Sequence, residues 1–372
     1  MFQRQPAQIY GSQQLHLLQD IPSYDEPPFF SSLVDTVKVR IDAQVVPLNE
    51  LMEAGAPIHR NGKRYTVNSR FEGVSANIYR PGNGKYLYIE GSVAKFLTGQ
   101  NVVGIEDVAA GSLELIQAVL SRADIRLDVS ERRRISQGRY TLTRVDLAVH
   151  CDCGSPARAG AMMVAVRNLH LGSAHNVSVY KAGSVYKNQR SSYETTKSYL
   201  KGRELEHRPM SQGVFRREDW LSAADSIVRF ERSMRPKCLV PRGLAWPGAW
   251  SADVVRELLD ETARDLARID GVVPDIQKSN RLTRLSRAKL RAWSCGDLNI
   301  FNEGATSEAT KRAERKAIFD ITGIDVNLPL TAEQQATLLV PLRELFAAGF
   351  GFADHEHIWN QLTGRGRPRR WV

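Results

Sequence analysis

The sequence predicts an α+β protein: an antiparallel β-sheet domain with flanking helices, followed by a mostly helical C-terminal domain. Three observations carry that reading. DTVKVRI and LTRVDLAVHCD alternate apolar and polar residues, the period-two pattern of half-buried strands. Asn61-Gly62 and residues 81–84 sit between pairs of such segments, where their residue types favour tight hairpin turns. Beyond residue 250 the apolar spacing changes to three and four, the period of amphipathic helices.

A chain of 372 residues exceeds what one compact core usually serves, which predicts more than one domain. The expected division is 1–33 as a flexible extension, 34–245 as the sheet domain and 246–372 as the helical domain. The first stretch is rich in Gln, Pro and Ser. In DTVKVRI, Val37, Val39 and Ile41 point to one face and Thr36, Lys38 and Arg40 to the other. IHRNGKRYTV and NIYRPGNGKYLYIEG read as hairpins, the second placing Tyr86, Tyr88 and Glu90 on one face. A helix is expected at about 111–122 with Leu113, Ile116 and Leu120 buried. The basic run Arg132-Arg133-Arg134 then leads into a strand over 141–152.

Residues 154–170 read as a helix and NVSVYKAGSVYKNQRSSYETTKSYL as a hairpin with a basic, tyrosine-rich connection. A strand follows at 226–234. The prolines and tryptophans of RPKCLVPRGLAWPGAW read as a linker or arm. SADVVRELLDETARDLARI repeats apolar residues at helical spacing. SNRLTRLSRAKLRAW places Arg281, Arg284, Arg287 and Arg291 on one helical face with Lys289 to its side, either a solvated surface or a contact to DNA backbone. Thr331 and Gln334 form a capping box before a last helix, and GRGRPRRWV is a basic end.

A net charge of +10 favours a polyanionic partner. No apolar run approaches the roughly 20 residues that span a bilayer, and MFQRQPAQIYGSQQ lacks the parts of a signal peptide. A cytoplasmic protein without membrane contact is expected, and the cysteines agree with a reducing compartment, since Cys151 and Cys153 are too close to clip a useful loop and Cys238 and Cys295 are scattered.

Strand alternation brings chemistry to one face. In LTRVDLAVHCD, Val145, Leu147, Val149 and Cys151 face one side, so Arg144, Asp146, His150 and Asp152 face the other. In SIVRFERSM, Arg229 and Glu231 emerge opposite Val228, Phe230 and Met234. In KSYLKG, Tyr199 and Lys201 share a face if the segment is extended. Acids such as Asp146 and Glu231 suit Mg²⁺ or Mn²⁺, hard cations that stabilise charge on a phosphate. A tyrosine near a cation or base is a usable nucleophile. Each piece taken alone also reads as a structural ion pair or a packing tyrosine, and Tyr180, Tyr186 and Tyr193 lie just upstream of Tyr199.

In order and wording, DTVKVRI, SVAKFLTGQNVVG, TRVDLAV, SYLKGRELE and VRFERSM resemble the replication initiator family of filamentous bacteriophages, the rolling-circle nicking-joining proteins. Lys95, Gly99, Asn101 and Gly104 recur in the family's order. The resemblance covers roughly residues 34–245, more weakly the remainder. It implies that Tyr199 of the Y-x-K-x-x-E segment is the nucleophile, with Lys201 and Glu204 beside it. It implies Asp146 and Glu231 as ligands of Mg²⁺ or Mn²⁺, with Glu90, Asp152 and Glu204 as further candidates. Lys95, Asn101, Arg144 and Arg229 would contact DNA. The expected activity is cutting and rejoining one strand at a phage origin through a 5′-phosphotyrosine. Double-stranded origin and displaced single strand would both be partners, in the cytoplasm of the bacterial host. No ATPase motif is present, so a host replicative helicase would unwind.

Other readings fit less well. The alternative is a non-catalytic origin-binding protein or repressor on the same scaffold. A tyrosine recombinase needs its nucleophile near the C-terminal end, yet all 11 tyrosines lie at or before Tyr199. His355-Glu356-His357 lies far from Tyr199, Cys151 faces the core, and PGNGKY lacks the Ser or Thr of a phosphate-binding loop.

Overall fold

The computed structural model describes residues 29–327, apart from 43–46, 62–63, 82–84, 172–176, 180–182, 269–274, 298 and 302–306. The capping box at Thr331 and Gln334, His355-Glu356-His357, Tyr180, the basic tail and most of the expected N-terminal extension lie outside the described residues.

The first strand, β1 (Phe29–Asp42), starts earlier than the alternation at Val37 suggests. Its first part has no simple alternation, because Leu33 and Val34 are both buried. A bulge between Val34 and Val37 resets the register, and the N–H of Val34 bonds Ile105 O at 2.8 Å instead of the ladder. The chain continues through α1 (Leu48–Glu53), β2 (Ile58–Asn61), β3 (Arg64–Asn68), β4 (Ser75–Tyr79) and β5 (Tyr86–Ser92). Both expected hairpins are present.

Next come α2 (Val93–Thr98), α3 (Val108–Arg122) and α4 (Val129–Ser136). The buried stripe of α3 is Leu115, Ile116, Val119 and Leu120, and Leu113 is only half-buried. The Arg132–Arg134 run lies within α4 rather than in a strand approach, because Asp128 and Glu131 close a capping box that starts a helix there.

The sheet resumes with β6 (Thr141–Asp152), followed by α5 (Pro156–Leu171), β7 (Val177–Val179), β8 (Val185–Lys187) and β9 (Glu194–Leu200). Then α6 (Lys201–His207) and α7 (Arg217–Asp225) precede β10 (Ile227–Met234). Among the described residues, ten strands form one antiparallel sheet in the order β2-β3-β4-β5-β1-β6-β10-β9-β8-β7. Strands β1, β6 and β10 are the long central ones, and their apolar face packs on α3 and α5.

Residues 235–250 are not a linker. They form α8 (Pro236–Leu239) and a 3-10 turn at Pro247–Ala249, with Cys238, Leu239 and Trp250 buried against the sheet's core. Pro247 and Trp250 close a packed corner while Trp246 stays exposed, and Trp250 Nε1 donates to Leu244 O at 2.9 Å. The next helix, α9 (Ala252–Arg268), also packs on that core through Val255, Leu258, Leu259, Ala263 and Leu266. Each fully buried side chain of this kind contributes about 1.5–3 kcal/mol. A separate core starts only at Leu282. There α10 (Arg284–Ser294) and α11 (Glu308–Thr322) enclose Leu290, Trp293, Phe301, Ile318 and Val326.

On the other face of the central sheet a smaller apolar cluster joins Phe71, Val102, Leu205, Met210, Val214, Ala224 and Ile227. It lays α6, α7 and the segment after α2 over the strands. The polar groups trapped beneath that cover form the candidate site.

Candidate active site on the covered sheet face

Pairing register decides which side chains meet. Arg229 of β10 is opposite His150 of β6 and Tyr199 of β9, and Glu231 is opposite Ala148 and Lys197. Residues two apart on one strand share a face, so Tyr199, Lys197, Arg229, Glu231, Asp146 and His150 all project to one side. The face expected from alternation is the face observed.

Arg229 is the hub and is fully buried. Its NH2 lies 2.9 Å from Asp35 Oδ1, and its Nε donates to Glu231 Oε1 at 2.8 Å. Its NH1 donates to Asn101 O at 2.9 Å and to His150 Nε2 at 3.1 Å. A guanidinium only donates, so Nε2 must accept and His150 is neutral. Burial and the nearby Arg229 push the His150 pKa well below its ordinary value, in agreement.

Tyr199 donates its hydroxyl to Glu231 Oε1 at 2.6 Å. Only 4% of the residue is exposed. Burial, against the pull of Arg229, raises the phenol pKa well above its usual value. The Lys197 ammonium lies 3.8 Å from the centre of the Tyr199 ring and 3.8 Å from Glu231 Oε2.

Lys201 is not an extension of the Tyr199 strand. Strand β9 ends at Leu200 and Lys201 opens α6, so the expected shared strand face does not exist. The helical turn directs the Lys201 ammonium to Asn101 Oδ1 and Glu204 Oε2, each at 2.6 Å. Burial, and then Arg229, lower its pKa to about 7. Burial opposes ionisation of Glu204, but Lys201 and Lys95 outweigh it and hold that carboxyl at about 2. Lys95 supplies the second contact to Glu204, at 3.0 Å. Asn101 closes the circuit by donating to Asp35 Oδ1 at 2.8 Å. Burial would raise the Asp35 carboxyl, yet Arg229, Asn101 and Lys201 hold it well below the carboxylate range.

A second group lies beside the first. Arg144 grips Asp146 with two bonds, 2.9 and 2.6 Å, and reaches Glu90 at 3.0 Å. Burial, partly offset by Arg144 and reinforced by Asp35 and Glu231, lifts the Asp146 pKa to about 6.

Asp152 is not brought to this site. It ends β6, where its carboxylate accepts from Gly154 N and Ser226 Oγ at 2.9 and 2.7 Å. The basic residues near 281–291 stand apart in the C-terminal unit. Arg281 belongs to the 3-10 turn Ile276–Arg281 and not to the helix, because Thr283 caps α10 after it. Arg284 and Arg291 are exposed. Arg287 instead bonds the carbonyls of Ser279, Asn280 and Leu282, and Lys289 pairs with Glu314 at 2.7 Å.

A bound Mg²⁺ or Mn²⁺ needs several oxygen ligands that converge. Among the described residues no group of three or more His, Cys, Asp or Glu is placed to hold a metal ion. Asp146 already spends both oxygens on Arg144, and Glu231 shares one between Arg229 and Tyr199. The side chains as arranged do not fit a preformed metal centre.

Sequence reasoning missed Asp35 and Lys197. Lys197 was open to detection, two residues from Tyr199 on the same strand. Asp35 carried no such signal, because the bulge beside it breaks the alternation that would have assigned its face.

Comparison with known proteins adds an independent line. A family model describing the N-terminal part of a phage replication-associated protein matches residues 34–253. The chain is similar to the replication-associated protein of Enterobacteria phage I2-2, 22% identical over 271 residues, 72% of this chain and 77% of that protein. Among solved structures it is similar to a rolling circle replication initiator protein from Geobacillus stearothermophilus: 14% identity, TM-score 0.28, 64% of this chain and 85% of that one. It is also similar to the Methanococcus jannaschii TBP: 10% identity, TM-score 0.28, 62% of this chain and 99% of that one. At that TM-score neither structural likeness carries an argument.

Proposed function

Since the chain belongs to the phage replication-associated protein family, whose model covers residues 34–253, we propose that it initiates rolling-circle replication of a phage genome by cutting and rejoining one DNA strand. The observation that carries this reading is the 2.6 Å hydrogen bond from the Tyr199 hydroxyl to Glu231 on a charged, covered sheet face.

In this reading Tyr199 attacks the scissile phosphorus. The Tyr Oη–P bond forms and the P–O3′ bond breaks, which leaves a 5′-phosphotyrosine and a free 3′-hydroxyl for a polymerase. The phenol proton passes to Glu231, the carboxylate already accepting it, and the departing 3′ oxygen takes a proton from solvent. A buried phenol resists ionisation, so the step needs a base in contact and positive charge nearby. Lys197 over the ring and Arg229 beside Glu231 supply that charge. Around Tyr199, Arg229, Lys95 and Lys197 balance Asp35, Glu231 and Glu204, and Lys201 adds positive charge when protonated, an environment suited to a phosphate. Arg144 is half-exposed beside this group and contacts the DNA backbone.

Dependence on Mg²⁺ or Mn²⁺ is a separate proposal. Asp146 and Glu231 are the pair that would bind the ion once released from Arg144 and Arg229, and Mn²⁺ binding followed by electron paramagnetic resonance tests it without reference to activity. The partners proposed are origin DNA, its displaced single strand and a host replicative helicase, in the bacterial cytoplasm. No helix among the described residues is long and apolar enough to cross a membrane.

The test is incubation of the full chain with supercoiled DNA carrying the origin. Conversion to open circles with protein attached to the 5′ end is expected. Binding without any nick, at every metal tried, would favour the origin-binding alternative.

A further inference from the structure

We propose that Tyr79 and Tyr88, with Lys38 beside them, form a platform on which bases of single-stranded DNA stack, well away from Tyr199. The inference rests on the replication reading above and adds to it a binding site on the same sheet face, beyond the part that α6 and α7 cover.

Tyr79 of β4 and Tyr88 of β5 are register partners. Their rings are parallel within 5°, with centroids 4.7 Å apart. The Lys38 ammonium lies 4.9 Å from the centre of one ring and 5.9 Å from the other. Next along β5, Tyr86 carries the Arg40 guanidinium 4.8 Å from its ring centre. The two stacked tyrosines, Lys38, Arg144 and Arg235 line an open cleft of about 430 Å³, with Glu90 as the acid among them.

A cross-strand tyrosine pair by itself stabilises a sheet. Lys38, Arg144 and Arg235 gathered around Glu90 beside half-buried rings, with Asp146 holding Arg144 from behind, are not needed for that purpose. They match a ligand with flat π faces and a repeating negative charge, which is single-stranded nucleic acid. A duplex is the poorer match, because its bases already stack on each other and show only their edges.

Register places this cleft on the same sheet face as Tyr199. Lys38 is opposite Glu90 and Arg144, and Asp146, two residues on from Arg144, is opposite Ser233 of β10. From β5 to β9 the sheet steps across β1, β6 and β10. Those four strand spacings amount to about 19 Å. The platform therefore holds nucleotides several positions from the scissile phosphate.

The test is fluorescence anisotropy of the full chain with labelled oligo(dT), in parallel with cleavage of a short origin strand. Replacing both rings (Tyr79→Leu with Tyr88→Leu) is expected to weaken oligo(dT) binding by roughly tenfold or more, with cleavage of the short strand retained. The double Phe variant keeps the rings and is expected to bind like wild type. Unchanged affinity in the Leu variant, or equal loss in the Phe variant, overturns the platform. If the Leu variant fails to fold, the single variants Tyr79→Leu and Tyr88→Leu decide, each expected to bind several-fold more weakly than wild type. If wild type itself neither binds oligo(dT) nor nicks origin DNA, the replication reading fails with it. If wild type does both and the rings are silent, only the platform fails.

Discussion

Tyr199 and Glu231 meet on a diagonal between neighbouring strands: Tyr199 is opposite Arg229, Glu231 is opposite Lys197, and yet the hydroxyl reaches Oε1 at 2.6 Å. The same oxygen accepts from Arg229. Glu231 is thus held by a permanent cation while it faces the phenol proton. Glu231→Gln keeps the shape and removes the basicity, and it should lower the nicking rate by roughly 10²–10⁴-fold, the usual range for general-base loss. Origin affinity, measured by filter binding, should change little.

Arg229, itself fully buried, neutralises a largely buried Asp35. Arg229→Ala would leave that carboxylate buried and unpaired, at a cost of about 3–5 kcal/mol. Urea denaturation should show the midpoint falling accordingly.

Glu204 gives a pH dependence with a defined sign. Its folded pKa of about 2 lies below its ordinary 4.5, so the unfolded chain binds the proton more readily. Its contribution is fully present above pH 4.5 and is lost as pH falls toward 2, on the order of 3 kcal/mol. Glu204→Gln should be less stable at neutral pH and show a flatter loss below pH 4.5, read from melts across that range.

Gly99 ends α2 with φ at 81°, in the left-handed region. A Cβ there would stand 2.6 Å from Val214 Cγ2 and 2.7 Å from Phe71 Cδ1. Gly99→Ala should therefore destabilise by roughly 1–3 kcal/mol. It should also reduce nicking, since Lys95 and Asn101 flank this turn.

The basic residues of the C-terminal unit divide by exposure. Arg284→Ala with Arg291→Ala should flatten the plot of log affinity against log salt by about 1–2 if both touch phosphate. Arg287→Ala should instead lower the melting temperature, because it strips bonds from three carbonyls.

Much of this site is legible in the sequence because strands impose a strict period. Alternation in LTRVDLAVHCD and SIVRFERSM assigns Asp146, His150, Arg229 and Glu231 to one face, and register keeps them there. Periodicity has no hold on Asp35, which sits at a bulge, or on Lys201, which leaves its strand for a helix. The choice among tyrosines also needs tertiary context. Tyr186 lies across from Lys197 and Tyr193 is 41% exposed, while Tyr199 donates to Glu231 on the covered face. The proline- and tryptophan-rich stretch after β10 reads as a linker by composition, yet Trp250 and Leu239 bury themselves in the sheet's core. Composition records polarity and breakers; it does not record which corner of a fold a tryptophan closes.

Mass spectrometry of the covalent protein–DNA adduct tests the central claim most directly. After nicking and nuclease digestion, the tryptic peptide containing Tyr199 should carry the nucleotide mass. Tyr199→Phe should yield no adduct while still melting cooperatively, since it loses one hydrogen bond to a charged group, worth about 1.5–3 kcal/mol. An adduct on Tyr186, Tyr193 or any other residue, or one that persists in Tyr199→Phe, would contradict the account.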